Sequence, residues 1–150
     1  MTRSLEDSIF VDAPPDQVWS WLLDLAGQYT DWHPNHVSAE WSRGEPNEIG
    51  SQLTTVEDLA GHRETLVFEM TDLEPPWRME YRIRGPHSII LPGGSFQISA
   101  AQNGGSTFTA TIRYRFGPLT KALFRHRMAA LRVHLAEEGR SLKRLVETGP

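Results

Sequence analysis

The side chains that could do chemistry in this chain are histidines, carboxylates and tyrosines, because its 150 residues include no cysteine. Thiolate nucleophiles and disulfides are thereby excluded. His33 and His36 stand three apart in His33-Pro34-Asn35-His36, close enough for two metal ligands on one turn. No Cys, His or paired carboxylate nearby completes a set of three or four, so no metal site is expected. Both imidazoles are read as surface or rim groups, with His33 beside a cavity mouth. Further along, His126, Ala130 and His134 form a stripe at four-residue spacing. Glu138 follows His134 by one turn, an i, i+4 pair able to orient the imidazole. Tyr81 and Tyr114 occupy inward positions of alternating segments, where a phenol either anchors a ligand or packs with its hydroxyl at a rim. Glu57 shares a strand face with Leu53, Thr55 and Leu59. On a concave face it would be a carboxylate of raised proton affinity, a general acid or base. Val56 supports the opposite register, and the solvent-facing one is the default. Glu57, Tyr81, Tyr114 and His134 are the catalytic candidates. No Ser-His-Asp order, phosphate-binding glycine loop or nucleotide fingerprint occurs, so no cofactor is expected.

These groups need elements to hold them. From Pro118 to Thr148 no proline interrupts the chain, and Phe124, Met128, Leu131, Leu135, Leu142 and Leu145 keep to one seam that only Glu138 breaks. That pattern predicts one amphipathic helix of about 45 Å. A helix so long must lie across something broad. Val37 to Phe116 supplies it, reading as six strands joined by tight turns: 37–41, 52–59, 63–73, 77–83, 96–100 and 107–116. Asn103-Gly104-Gly105 is a hairpin signal. Before them, Ser4–Val11 reads as a first strand. Asp12-Ala13-Pro14-Pro15-Asp16 then opens a helix that Gly27 ends, and a second short turn runs from Gln28 to Trp32.

The predicted architecture is α+β: a seven-stranded antiparallel sheet, apolar on one face, gripping the terminal helix around a cavity. The helix offers Leu131 and His134 to that space, and the helix pair and its exit offer Trp32 and His33. The strands offer Phe68, Met79, Tyr81, Phe96, Ile112 and Tyr114. Between glycine and proline hinges, the Gly85–Gly94 loop carries Ile89, Ile90 and Leu91. It is read as a lid with Ile90 on the ligand, the alternative being docking onto a second subunit of a homodimer.

Bulk properties narrow the field. Composition is that of a soluble globular protein, 39% hydrophobic and 23% charged, with a length that suits one domain, 1–150. A net charge of −4 argues against nucleic acid as a partner. Residues 118–150 hold seven Lys and Arg against three Asp and Glu, a balance of +4 that leaves −8 for the rest. This basic helix reads as a solvated outer face. The charged first twelve residues do not resemble a signal peptide, and no apolar run approaches a membrane span, so a soluble cytoplasmic location is expected.

Three motifs carry a family resemblance. The segment Asp12-Ala13-Pro14-Pro15-Asp16-Gln17-Val18-Trp19 resembles the opening of START-related, pollen-allergen-like helix-grip (SRPBCC) proteins. Asp31-Trp32-His33-Pro34 resembles the second-helix signature of their polyketide cyclase/dehydrase branch. The Glu48-Ile49-Gly50-Ser51 turn and the closing helix also match. The resemblance implies the sheet-and-helix cavity and a hydrophobic small-molecule ligand: a lipid, sterol, hormone, polyketide or other aromatic metabolite. It also implies cyclisation or dehydration in some members. Its motifs are structural, and a fold does not choose among functions.

Overall fold

A computed structural model of the chain describes residues 2–115, 117, 122 and 124–149. Strand β1 (Thr2–Val11) leads into helices α1 (Pro15–Leu23) and α2 (Leu25–Trp32). Six strands follow: β2 (His36–Arg43), β3 (Gln52–Leu59), β4 (His62–Glu74), β5 (Arg78–Arg84), β6 (Gly93–Ala100) and β7 (Ser106–Arg115), and α3 (Arg125–Thr148) comes last. The sheet order is β1-β7-β6-β5-β4-β3-β2, with every neighbouring pair antiparallel. The strands therefore run as successive hairpins, except that β1 and β2 occupy opposite edges. The chain crosses from one edge to the other through α1 and α2, which close one end of the sheet.

Turn chemistry fixes the hairpins. Ala60 and Gly61 have φ of 52° and 80°, and Asn103 and Gly104 have 57° and 76°. Two successive left-handed residues match the twist of the flanking strands. Alternation then sorts the faces. Leu53, Thr55, Glu57 and Leu59 of β3 and Met79, Tyr81 and Ile83 of β5 are all buried on the concave side. The convex side carries ion pairs, such as Arg82 Nη2 at 2.6 Å from Glu69 Oε1. Trp77, the first residue of the strand expected at 77–83, precedes β5 and is 47% exposed.

Helix α3 spans 24 residues, about 36 Å at the usual rise. The expected start at Pro118 lies outside the described residues for the most part. Leu131, Leu135, Leu142 and Val146 are buried against the sheet, with Val146 taking the inward place expected of Leu145. Gly139 lets the helix approach β1, since a Cβ there would come within 3.2 Å of Asp7 Oδ2. The break between the first two helices falls at Asp24 rather than Gly27. Gly27 lies inside α2, where the Asp24 carboxylate fills the space that a Cβ would need.

One irregularity matters most. The β2–β3 pairing shifts register between His36 and Ser38, so that His36 faces Glu57 directly while Ser38 already pairs with Val56. An extra residue in one strand re-aims the side chains beside it. Along β2, Ala39 and Trp41 are the partly buried positions, and plain alternation would turn Val37 inward and His36 out. The bulge reverses this: Val37 is 37% exposed and His36 only 5%.

Candidate functional site

Between the concave face and α3 lies a cavity of about 80 Å³. Strand residues Leu53, Leu66, Phe68, Tyr81, Phe96 and Ile112 form one wall, and Leu131 and Leu135 form the other. Leu25, Tyr29 and Trp32 close the α2 side. The terminal helix therefore does not plug its sheet. The acidic and basic groups of the lining are Glu57, Glu64, His134 and Glu138.

Three of these belong to a buried cluster assembled from four elements. The bulge of β2 sends in His36, the concave face of β3 sends Glu57, and α3 sends His134 and Glu138 from successive turns. Tyr29 of α2 completes the group. His36 Nε2 lies 2.9 Å from Glu138 Oε2, 3.2 Å from His134 Nε2 and 3.9 Å from Glu57 Oε2. His134 Nε2 is 3.5 Å from Glu138 Oε2 and 3.9 Å from Glu57 Oε2. Tyr29 orients two members at once. Its hydroxyl donates to Glu57 Oε2 at 3.0 Å, and its carbonyl stands 2.8 Å from His36 Nδ1. A carbonyl only accepts, so His36 carries a proton on Nδ1, and its hydrogen bond to Glu138 takes a second proton on Nε2. The Tyr29 and His36 rings stack at 3.8 Å. From α2, Trp32 donates through Nε1 to the Glu138 carbonyl at 2.9 Å, tying the short helix to the long one.

Burial and pairing set the charges. Burial raises the Glu57 carboxyl and the charge of Glu138 raises it further, outweighing the imidazoles and the Tyr29 hydroxyl. Glu138 goes the other way. Burial opposes its ionisation, but hydrogen bonds from His134 and His36 hold its carboxyl at about 2, below the usual 4.5. His134 is drawn down by burial and lifted more by Glu138 and Glu57, ending above 6.5. Burial, then Glu57, pushes the Tyr29 phenol up. Two carboxylates in one cavity are thus driven apart in proton affinity, the arrangement that separates an acid from a base.

The expected site residues divide into two groups. Trp32, Glu57, Phe68, Tyr81, Phe96, Ile112, Leu131 and His134 all line the cavity. Glu57 therefore faces inward, against the solvent-facing default, because β3 keeps strict alternation with Leu53, Thr55 and Leu59. Met79 is 1% exposed and packs in the core beside the cavity rather than in its lining. Tyr114 is only partly buried and also stands outside the lining. Ile90 lines a smaller neighbouring pocket with His87, Phe124 and Met128. From the same loop Leu91 enters the main wall, while Ile89 points away at 72% exposure.

The two histidines expected at the surface are both buried, His33 at 3% exposure. His33 accepts from the Asn35 N–H through Nδ1 at 2.9 Å and reaches Glu137 Oε1 through Nε2 at 3.4 Å. It flanks the His134 ring at 4.2 Å without sending a nitrogen into the cluster. His36 and Tyr29 were missed as site residues. Glu138 was visible twice, as the break in the apolar seam and as the i, i+4 partner of His134, and a lone acid in such a seam is the signal that finds it.

Known proteins share this frame. A family described as polyketide cyclase / dehydrase and lipid transport matches residues 2–147. The ZhuI aromatase/cyclase from Streptomyces sp. R1128 is similar over 98% of this chain and 94% of its own, with 18% identity and a TM-score of 0.81. Norcoclaurine synthase from Thalictrum flavum, solved with dopamine and hydroxybenzaldehyde, is similar over 100% and 90%, with 12% identity and a TM-score of 0.77. Ara h 8.0201 is similar over 99% and 100%, with 16% identity and a TM-score of 0.75. Among curated proteins, none matches this sequence. At such identities the solved structures speak for the helix-grip fold alone, whereas the family match runs nearly end to end. The chain belongs to the polyketide cyclase / dehydrase and lipid transport family.

Proposed function

We propose that this chain takes a small, largely apolar aromatic molecule of polyketide type into the cavity and acts on it there, in a cyclisation or dehydration. The observation that carries the reading is the cluster of Glu57, His134 and Glu138 in the lining of a mostly apolar cavity, with His36 beside them. A carrier of apolar ligands needs a dry pocket with one or two anchors. Gathering two carboxylates and two imidazoles away from water opposes folding unless every one is paired. Such a cluster is reasonable where a carbonyl or hydroxyl of the ligand must be held and made to react. Glu57 and His134 stand nearest the reacting atoms in this reading. Tyr81, its ring in the wall at 5.9 Å from Phe96, orients the aromatic part. Plain binding and transport of a lipid or other hydrophobic compound is the second reading, favoured by the apolar majority of the lining.

Two measurements separate them. Calorimetric titration with 2-naphthol is expected to give one saturable site, weakened about fivefold by Tyr81→Phe through loss of one hydroxyl contact. Incubation with a tetraketide N-acetylcysteamine thioester, followed by chromatography and mass spectrometry, is expected to show ring closure above the spontaneous rate. Glu57→Gln and His134→Gln are expected to lower that rate about 10²–10⁴-fold. Binding without turnover selects the transport reading. Absence of a saturable site overturns both.

A further inference from the structure

The cluster has a second property that acid–base work does not require: three of its donor atoms are spaced as ligands of one ion. His36 Nε2, His134 Nε2 and Glu57 Oε2 lie 3.2, 3.9 and 3.9 Å apart. All three residues are buried, and each offers one ligand atom within 4.8 Å of the others. Glu138 Oε2, outside that set of three, lies 2.9 Å from one imidazole nitrogen and 3.5 Å from the other, within reach as a fourth donor. Ligands bound at 2.0–2.2 Å on the corners of a tetrahedron stand about 3.3–3.6 Å from one another. The separations within the set of three, 3.2, 3.9 and 3.9 Å, straddle that interval.

The surroundings agree. A metal-binding histidine usually donates its other ring N–H to a carbonyl, which fixes the tautomer and aims the lone pair. His36 has this arrangement, with Nδ1 on the Tyr29 carbonyl at 2.8 Å, whereas His134 Nδ1 is buried without a hydrogen-bond partner. A ligating carboxylate is usually hydrogen-bonded as well, and Glu57 accepts from the Tyr29 hydroxyl at 3.0 Å. The charges balance, because two carboxylates neutralise one divalent ion in an apolar cavity. Three of the donor residues, Glu57, His134 and Glu138, also line that cavity, which gives an ion its way in.

We infer that His36, Glu57, His134 and Glu138 form a binding site for one divalent first-row transition ion, with Tyr29 as the positioning residue for two of its ligands. Two imidazoles and two carboxylates without thiolate suit zinc, iron or manganese better than cuprous copper. The inference deepens the proposed function and rests on it in taking the cavity as the reactive site. With an ion in place, Glu57 and His134 act as ligands, and a ligand carbonyl entering the cavity would meet a Lewis acid.

Ion binding is measured apart from organic binding. Tag-free protein is stripped with chelator, exchanged into chelator-free buffer, and titrated with Zn²⁺ by calorimetry and native mass spectrometry. One ion per chain is expected, together with a rise in the thermal midpoint. Co²⁺ is expected to give the intense visible bands of a low-coordinate nitrogen–oxygen site. His134→Gln and Glu57→Gln are each expected to weaken Zn²⁺ by about a hundredfold or more, and Tyr29→Phe by about tenfold. Circular dichroism reports whether each variant folds. If one does not, the Co²⁺ spectrum of the unaltered protein decides. Zn²⁺ affinity unchanged in folded variants, or no ion retained at all, overturns the inference. 2-Naphthol binding in protein that takes up no ion removes the metal and leaves the cavity reading intact. The converse leaves the metal and removes the aromatic ligand.

Discussion

Replacing Glu138 with alanine in chelator-treated protein is expected to cost about 3–5 kcal/mol of stability, because it leaves His36 and His134 buried without their carboxylate. Glu138→Gln, which keeps the shape and one acceptor oxygen, is expected to cost less than half as much. The effect has a pH signature whose direction follows from the shifts. The Glu138 carboxyl is depressed from 4.5 to about 2, so its contribution is complete above 4.5 and disappears as the pH falls through 2. His134 is raised above 6.5, so its contribution is complete below 6.5 and disappears as the pH rises past its folded value. Protonated Glu57, also raised, adds to the alkaline limb. Cluster stabilisation is therefore greatest in a window around 4.5, falling on the acid side with Glu138 and on the alkaline side first with Glu57 and then with His134. Urea unfolding inside and on either side of that window should give a peaked profile for the unaltered protein and a flatter one for Glu138→Gln. Equal profiles for the two proteins would show that the cluster is energetically idle.

The second large effect belongs to Trp32. It is 2% exposed and meets Trp21, His36 and Phe96 edge to face at 5.3, 5.4 and 5.9 Å. Trp32→Ala is expected to cost about 3–5 kcal/mol as a cavity-forming change in a packed interior. Trp32→Phe retains most of the ring and loses the Nε1 bond to the Glu138 carbonyl. That carbonyl sits inside α3, where the helical ladder already provides a donor, so the loss is expected near 1–2 kcal/mol. The two variants also differ at the site. Alanine frees α2 from α3 and should weaken 2-naphthol severely, while phenylalanine should change it only a few-fold. If phenylalanine proves as damaging as alanine, the indole N–H rather than the ring holds the helices together.

Much of the frame was readable because it depends on local patterns. The bounds of β3, Gln52–Leu59, agree with its alternation, the Asn103-Gly104 turn lies where its residues place it, and so does the α3 seam at Leu131, Leu135 and Leu142. The cavity followed from those patterns, and with it Trp32, Phe68, Tyr81, Phe96, Ile112, Leu131 and His134. The centre of the site was harder to read, since its donors are far apart along the chain. His36 and His134 are separated by 98 residues and meet only through the curvature of the sheet. A search for ligands beside His33 and His36 therefore found none. Tyr29 sits in an eight-residue helix too short to show a periodic face. Alternation also overreached: Met79 and Tyr114 occupy inward positions, but inward includes packed core and partly exposed sheet as well as hollow.

The bulge at Val37 separates fold from chemistry. The sheet, its order and the gripping helix do not depend on that one supernumerary residue, but the direction in which a histidine points does. A strand that kept Val37 but paired without the bulge would bring valine opposite Glu57 and turn the imidazole outward, whereas removing Val37 would restore the pleat and leave His36 where it is. Within this architecture, a one-residue slip of β2 would exchange an imidazole for an aliphatic side chain beside Glu57 with no change of scaffold.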